Sequence, residues 1–160
     1  VARCLSSQGM RVIGVRANPA PTDHVERVYG APELHEALGE ADFTVLCLPL
    51  TEATRHCMDE AAFAAMKPGA IFINTARGGH VVAGDLLAAL RSGHLRGAYL
   101  DVFETEPLPP DSPLWTAPNL LISPHAADNI EDWEARFAAL FADNLEHWRA
   151  GRALRNVVTG

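Results

Sequence analysis

Residues 70–79, with the sequence AIFINTARGG, join a short apolar run to a polar segment that contains two glycines. The run lacks polar alternation, which is typical of a strand buried on both faces of a parallel sheet. Comparable strand candidates occur at residues 11–15, 43–48, 97–102 and 120–122. In an open parallel sheet, ligands bind at the edge formed by the segments that follow the strands. The polar segment after residue 73 is therefore a candidate binding segment.

Amphipathic segments between these strands predict helices. They occur at residues 1–7, 33–38, 59–66 and 85–92. Strands that alternate with helices predict an α/β fold with a doubly wound parallel sheet of Rossmann type. The alternative is part of a (β/α)8 barrel, a fold that typically needs about 250 residues, whereas this chain has 160.

A longer helix is predicted near the end of the chain, from about residue 129 to residue 150, with Asp128 or Asn129 as its N-cap. Five large apolar side chains fall on one stripe of this helix at helical spacing. They are Trp133, Phe137, Phe141, Leu145 and Trp148. Such a stripe predicts that the helix packs across its own domain or against a neighbouring domain.

The composition argues against several classes of partner. The net charge is −7 and no block of basic residues is present, so we expect no nucleic-acid surface. No apolar run is long enough to span a bilayer, so we expect no membrane partner. The three cysteines, Cys4, Cys47 and Cys57, share no metal-ligand spacing. We therefore expect no metal site and a reduced, cytoplasmic setting, with Cys47 in the core.

Ionisable side chains follow three of the predicted strands. Arg77 follows the strand at 70–73, Asp101 and Glu106 follow the next strand, and His125 follows the strand at 120–122. Parallel topology brings these segments to one rim of the sheet. The sequence therefore predicts that a guanidinium, carboxylates and an imidazole meet at this rim.

Each of these groups also has a purely structural interpretation. A lone Arg77 would be a solvated surface charge, Glu106 a loop charge, and His125 a hydrogen-bonded core histidine. The glycines at 78–79 favour a functional interpretation of Arg77, because they would let backbone come close to a ligand. The remaining six histidines lie in polar or helical contexts where we expect no catalytic role: His24, His35, His56, His80, His94 and His147.

Several blocks of sequence around these residues resemble the signature blocks of the D-isomer-specific 2-hydroxyacid dehydrogenases. They are residues 74–78 (NTARG), 100–109 (LDVFETEPLP), 112–115 (SPLW) and 123–125 (SPH), with further matches at 48–51 (LPLT) and 66–70 (MKPGA). Their order and spacing agree with the family from near residue 1 to about residue 158. The run at 107–115 is most similar to that of the glyoxylate/hydroxypyruvate reductases.

The resemblance implies an oxidoreductase that transfers a hydride between NAD(P)H and a small 2-oxo or 2-hydroxy acid, glyoxylate or hydroxypyruvate among them. In that mechanism, Arg77 holds the substrate carboxylate with a forked pair of hydrogen bonds. His125 exchanges a proton with the substrate oxygen. Glu106 orients the imidazole and raises its pKa. Glu106 is preferred over Glu104 because the family's carboxylate immediately precedes the proline.

The resemblance also implies a cofactor site, although the chain contains no G-x-G-x-x-G motif. Residues 1–7 match the body of the first helix, so the glycine-rich turn and a central first strand are expected upstream of Val1. Arg16 ends the second strand, where it can meet the 2′-phosphate of NADP(H); NADP(H) is therefore favoured, with NAD(H) as the alternative. The other expected cofactor contacts are Leu48, Pro49, Thr75, Ala76, Arg77, Asp101, His125, Ala126 and Ala127. Asp101 could instead cap the following turn.

Three functional hypotheses follow from the resemblance. The first is an oxidoreductase, homodimeric in its complete form, in which residues 1–160 are a partial NAD(P)-binding domain and the helix at about 129–150 contacts a substrate domain. The second is a cofactor-binding regulatory module, such as a transcriptional corepressor. The third is an inactive fragment, because the pyrophosphate-binding turn and the substrate domain lie outside the chain.

Overall fold

The computed structural model describes residues 1–129 and 131–157. Their contacts separate into two compact units, the first spanning Val1–His125 and the second beginning at Ala126. The first unit contains every strand of the described chain, and the second contains the long helix. The two units are described separately below.

Six strands form two parallel sheets in the first unit. Strands β1 (Ile13–Arg16) and β2 (Arg27–Gly30) pair with each other. The larger sheet has the order β3-β4-β5-β6. Its strands are β3 (Phe43–Leu46), β4 (Ile71–Asn74), β5 (Gly97–Leu100) and β6 (Leu120–Ile122), and all neighbours run parallel. The sheet is open, with β3 and β6 at its edges, so the barrel alternative is wrong.

Four helices accompany these strands: α1 (Ala2–Ser7), α2 (Leu34–Glu40), α3 (Glu60–Ala65) and α4 (Ala83–Arg91). The Asp59 side chain caps α3 by accepting a hydrogen bond from the Ala62 amide at 2.9 Å. The core lies where β4 meets α3, with the rings of Phe63 and Phe72 packed edge to face at 5.3 Å. The alternation of strands and helices in a Rossmann-type α/β fold, predicted from periodicity, is confirmed.

Strand β2 is absent from the sequence prediction. Its four residues begin with Arg27 and end with Gly30, and they carry too little apolar pattern to indicate a strand. Tertiary contacts stabilise it instead. The Arg27 guanidinium lies 3.9 Å from the centre of the Tyr29 ring, and the Tyr29 hydroxyl donates to the carboxylate of Glu40 on α2.

The parallel sheet is interrupted between β1 and β3, because these two strands belong to different sheets. Large apolar side chains on both strands are accordingly exposed, Val15 at 39% and Phe43 at 44%. The expectation of a further central strand and a glycine-rich turn upstream of Val1 stays a prediction.

The second unit contains helix α5 (Trp133–Arg149), which starts later than predicted. Its N-cap is Asp132, in the left-handed conformation with φ 64°, so the prediction of Asp128 or Asn129 as the cap is wrong. After the helix, the chain folds back and the Arg155 backbone exchanges two hydrogen bonds with the Asn144 side chain, at 2.8 and 3.2 Å.

The predicted apolar stripe is present on α5, and its five side chains are 45% to 70% exposed. No helix in the described part of the chain is long and apolar enough to cross a bilayer. The predicted contact between α5 and another domain stays a prediction.

Candidate active site

The functional candidates lie beyond the carboxyl ends of three adjacent strands. Arg77 follows β4, Glu106 follows β5 and His125 follows β6, and these strands are neighbours in the parallel sheet. The structure therefore brings the three residues to one rim of the sheet, as the sequence predicted. Arg77 and Glu106 are 29 residues apart, and α4 lies in the connection between their strands; Glu106 and His125 are 19 residues apart, and the connection between their strands contains only a short 3-10 helix, Pro113–Thr116.

His125 and Glu106 form a hydrogen-bonded ion pair. The ring Nδ1 of His125 lies 2.7 Å from Oε2 of Glu106, and the second carboxylate oxygen accepts a hydrogen bond from the Phe103 amide at 2.8 Å. With its Nδ1 on Glu106, the ring has Nε2 left for other partners. The His125 backbone is in the left-handed region with φ 54°, which is uncommon for a residue other than glycine.

The pair shifts both pKa values in the direction that favours charge. The hydrogen bond and charge of Glu106 raise the pKa of His125 above its ordinary value. The hydrogen bonds from His125 and from the Phe103 amide lower the pKa of Glu106. The Arg77 guanidinium lies close enough to oppose the first shift and to reinforce the second. Since both side chains are more than a third exposed, solvent screens the attraction between them.

Arg77 presents an exposed side chain on an anchored backbone. Its Nη1 donates to the Ala76 carbonyl at 2.6 Å. Its own carbonyl accepts a hydrogen bond from the buried Asn74 amide group at 2.9 Å. The backbone of Arg77 is thus held in place, and other N–H groups of its guanidinium can turn towards an anion.

Gly78 allows a close backbone contact that the sequence did not predict. A Cβ atom at this position would lie 1.9 Å from the carbonyl carbon of Phe103 and 2.3 Å from the amide nitrogen of Glu104. The close approach therefore joins the backbone after β4 to the backbone after β5, and the predicted approach of a ligand to the two glycines stays a prediction. The backbone contact holds the segment of Arg77 against the segment of Glu106.

A cavity of about 630 Å³ opens beside Arg77. It is lined by residues 47–50 and 75–77, that is, Cys47, Leu48, Pro49, Leu50, Thr75, Ala76 and Arg77. Four of the predicted cofactor contacts are therefore in one pocket with the arginine: Leu48, Pro49, Thr75 and Ala76. Cys47 is exposed, so its predicted place in the core is wrong; β3 ends at Leu46, and the thiol lies beyond the strand.

Asp101 is 1% exposed at the carboxyl end of β5. Its carboxylate accepts a hydrogen bond from the Ser123 hydroxyl, which in turn lies 2.7 Å from the Tyr99 hydroxyl. These contacts tie the end of β5 to the end of β6. The predicted contact of Asp101 with the cofactor stays a prediction.

Three predicted cofactor contacts remain, namely Arg16, Ala126 and Ala127. Arg16 is exposed at the end of β1, in the smaller sheet, where its Nη1 donates to the Thr22 hydroxyl at 3.2 Å. Ala126 and Ala127 follow His125 directly in the chain and belong to the second unit. In the described residues, 1–129 and 131–157, no group of three or more His, Cys, Asp or Glu side chains could hold a metal ion.

Two histidines for which the sequence predicts no catalytic role lie next to the site. The ring Nε2 of His56 is 3.2 Å from Oε1 of Glu104, which forms a second histidine–glutamate pair two residues from Glu106. His80 is fully buried between the two walls of the cavity. The presence of glutamates at both 104 and 106 could have indicated the first pair from the sequence. Nothing in the local sequence indicates that His80 is buried.

Comparison with known proteins decides the family. Residues 1–127 match the family described as "D-isomer specific 2-hydroxyacid dehydrogenase, NAD binding domain". The chain belongs to this family. The resemblance recognised from the sequence blocks is confirmed, and the first unit corresponds to the family's NAD-binding domain.

Among its relatives is the glyoxylate/hydroxypyruvate reductase B of Citrobacter koseri, 46% identical over 126 residues, which are 79% of this chain and 39% of that protein. A D-isomer-specific 2-hydroxyacid dehydrogenase from Xanthobacter autotrophicus, solved with NADPH and MES, superposes with a TM-score of 0.87 at 39% identity, over 99% of this chain and 64% of that one. The NADPH-dependent glyoxylate/hydroxypyruvate reductase of Sinorhizobium meliloti, solved with NADP and sulfate, gives 0.85 at 39% identity, over 98% and 50%. The chain spans 39% to 49% of the length of similar curated relatives.

Proposed function

We propose that the natural protein transfers a hydride between NADP(H) and a small 2-oxo or 2-hydroxy acid of the glyoxylate or hydroxypyruvate kind, with Arg77, Glu106 and His125 as its catalytic residues. The observation that carries the proposal is the 2.7 Å contact between His125 and Glu106 on the same rim as Arg77. An anion-binding guanidinium beside a charge-paired imidazole matches the two needs of this reaction, which are to hold a carboxylate and to move a proton.

Substrate binding falls to Arg77. Its guanidinium can donate two parallel hydrogen bonds to a carboxylate, with a geometry that lysine cannot reproduce. The Gly78 contact with the Phe103 backbone fixes the distance from this arginine to the segment of Glu106. A bound 2-oxo acid would thus present its ketone near the imidazole.

Proton transfer falls to His125. Because Glu106 occupies Nδ1, the ring donates from Nε2 to the developing alkoxide and accepts the proton back in the oxidative direction. The raised pKa extends to higher pH the range over which the imidazolium is present. Glu106 itself stays ionised, since its pKa is lowered.

The cavity beside Arg77 matches a nicotinamide ring in its chemistry. Leu48, Pro49 and Ala76 would offer apolar surface to the ring, and Thr75 would offer a hydroxyl for a polar contact. A reduced nicotinamide, when bound, supplies the hydride. The exposed Arg16 supports a preference for NADP(H), because its guanidinium can pair with a 2′-phosphate. The relatives solved with NADPH and NADP support the same preference.

A kinetic assay of the natural protein tests this function. Glyoxylate and hydroxypyruvate are offered with NADPH or NADH, and cofactor oxidation is followed by absorbance. We expect turnover of at least one acid, and we expect His125→Ala to abolish it while NADPH affinity persists. His35→Ala, at an exposed histidine of α2, is the matched control. Substantial activity in His125→Ala would overturn the catalytic assignment.

Three broader proposals concern the natural protein as a whole. The exposed stripe of α5 would pack against another part of the protein, since five large apolar side chains rarely stay in water on one helix. The expected homodimer is tested by light scattering coupled to size-exclusion chromatography. Three free thiols support a reduced, cytoplasmic setting, which fractionation of the source cells would check.

A further inference from the structure

His80 lies between the two walls of the cavity and is fully buried, with 0% exposure. One wall is the segment 47–50 and the other is the segment 75–77. The ring Nδ1 lies 2.9 Å from the carbonyl oxygen of Arg77, and Nε2 lies 3.3 Å from the carbonyl oxygen of Pro49. A single buried side chain thus contacts one residue of each wall.

The chemistry of these contacts makes the ring a bridge. A backbone carbonyl can only accept a hydrogen bond, so each ring nitrogen stabilises its contact when it carries hydrogen. The neutral ring has one N–H and the imidazolium has two. The shorter contact, to Arg77, is the one that an Nδ1–H tautomer satisfies.

Other hydrogen bonds stabilise each wall of the cavity separately. The Thr54 hydroxyl donates to the Pro49 carbonyl at 2.8 Å, and the Asn74 amide donates to the Arg77 carbonyl at 2.9 Å. Farther from the cavity, a backbone ladder joins residues 56–58 to residues 79–82: the His56 amide donates to the Gly79 carbonyl, and the Met58 amide donates to the His80 carbonyl. Neither the local contacts nor the ladder joins the Pro49 carbonyl to that of Arg77, whereas the His80 ring contacts both.

We infer that His80 is a positioning residue that sets the width of the cavity, and with it the placement of Arg77 relative to the bound cofactor. This inference rests on the proposed function for its kinetic consequences. The structural role of His80 does not depend on turnover, because its ring contacts both walls whether or not a substrate is present.

Three substitutions in the natural protein separate the two contacts. In His80→Asn, the side-chain amide nitrogen takes the place of Nδ1, whereas in His80→Gln it takes the place of Nε2. His80→Leu removes both donors at similar volume. We expect His80→Leu to raise the KM for the 2-oxo acid and the Kd for NADPH about fivefold to tenfold, the effect of one or two lost hydrogen bonds. His80→Asn and His80→Gln each keep one of the two contacts, so their KM and Kd values should lie between those of the wild type and those of His80→Leu.

His94→Leu is the matched control. The ring of His94 also contacts two backbone carbonyls, those of Phe63 and Met66 at 3.1 and 3.0 Å, but it lies away from the cavity. This variant should lower thermal stability while leaving KM and Kd unchanged. If His80→Leu behaves in the same way, the positioning role is refuted and His80 is merely structural.

An inactive wild type would refute the proposed function but not the role of His80. Hydrogen exchange measured by mass spectrometry tests that role without turnover. We expect His80→Leu to speed exchange locally in segments 47–50 and 75–77, whereas His80→Asn should restore protection in segment 75–77 and His80→Gln in segment 47–50. Unchanged exchange in these segments, or an increase spread evenly over the chain, would overturn the inference. If His80→Leu does not fold, the same exchange rates in His80→Asn and His80→Gln at both segments would overturn the inference as well.

Discussion

The imidazole Nδ1 of His125 and the carboxylate Oε2 of Glu106 lie 2.7 Å apart, although 19 residues separate them in the chain. The contact fixes which ring nitrogen faces Glu106, and it raises the pKa of His125 while lowering that of Glu106. Glu106 follows β5 and His125 follows β6, and these two strands are paired neighbours. The proton-transfer function that we propose depends on this relationship, and the first prediction tests it.

Glu106→Gln should move the pH profile of the reductive reaction towards acid. Reduction needs the imidazolium, which is present below the pKa of His125 and is lost as the pH rises through it. Removing the carboxylate removes the cause of the raised pKa. The alkaline limb of kcat/KM should therefore fall at lower pH, and the acid limb of the oxidative reaction should shift in the same direction.

Glu104→Gln is the control for this experiment, because Glu104 pairs with His56 rather than with His125. It should leave the pH at which the limb falls unchanged. An unchanged limb in Glu106→Gln would show that Glu106 does not set the pKa of the proton donor.

Arg77→Lys should weaken binding of the 2-oxo acid while preserving the positive charge. Lysine cannot offer two parallel donors to a carboxylate, so we expect the KM for the acid to rise about tenfold to a hundredfold. The affinity for NADPH, measured by calorimetry, should change much less. Arg91→Lys, at the end of α4, is the control and should have no effect. A KM unaltered by Arg77→Lys would contradict the proposed carboxylate contact.

Gly78→Ala should destabilise the first unit and disturb the active site. The added Cβ would lie 1.9 Å from a backbone carbon of Phe103, so the two segments must separate. Forced repacking of this kind typically costs about 1–3 kcal/mol. Chemical denaturation would measure the loss in the free energy of unfolding.

Gly84→Ala gives the matched comparison for Gly78→Ala. Gly84 lies in α4 with nothing within 4 Å of the added Cβ. Alanine there should be neutral or stabilise the protein by up to about 1 kcal/mol, through its higher helix propensity. Similar free energies of unfolding for the two variants would mean that the contact of Gly78 with Phe103 matters little.

Arg16→Ser should reduce the preference for NADPH over NADH. Loss of a charge-assisted contact with the 2′-phosphate should weaken NADPH binding about tenfold to a hundredfold, and NADH binding should stay nearly constant. The ratio of kcat/KM for the two cofactors is the readout. Equal losses with both cofactors would indicate that Arg16 acts on the fold rather than on the phosphate.

The sequence predicted most of the sheet and the location of the candidate site. Strands β1, β3, β4, β5 and β6 are visible as local apolar or β-rich runs, since a strand buried on both faces needs such side chains throughout. The order of strands and helices then puts the polar segments after β4, β5 and β6 on one edge. Strand β2 was missed because its stability comes from Tyr29 and Arg27 contacting residues outside the strand and each other, rather than from its own pattern.

The amino-acid sequence by itself determined the succession of strands and helices, the family, and the three charged residues at the rim. These features depend on local periodicity and on short blocks of residues. Tertiary structure decided what Gly78 approaches, that Cys47 is exposed beyond the end of β3, and that His80 is buried. The contact of His80 with Pro49 spans 31 residues, and that of Gly78 with Phe103 joins segments after different strands. Contacts of this range exist only once the sheet has brought the segments together, so no local pattern encodes them.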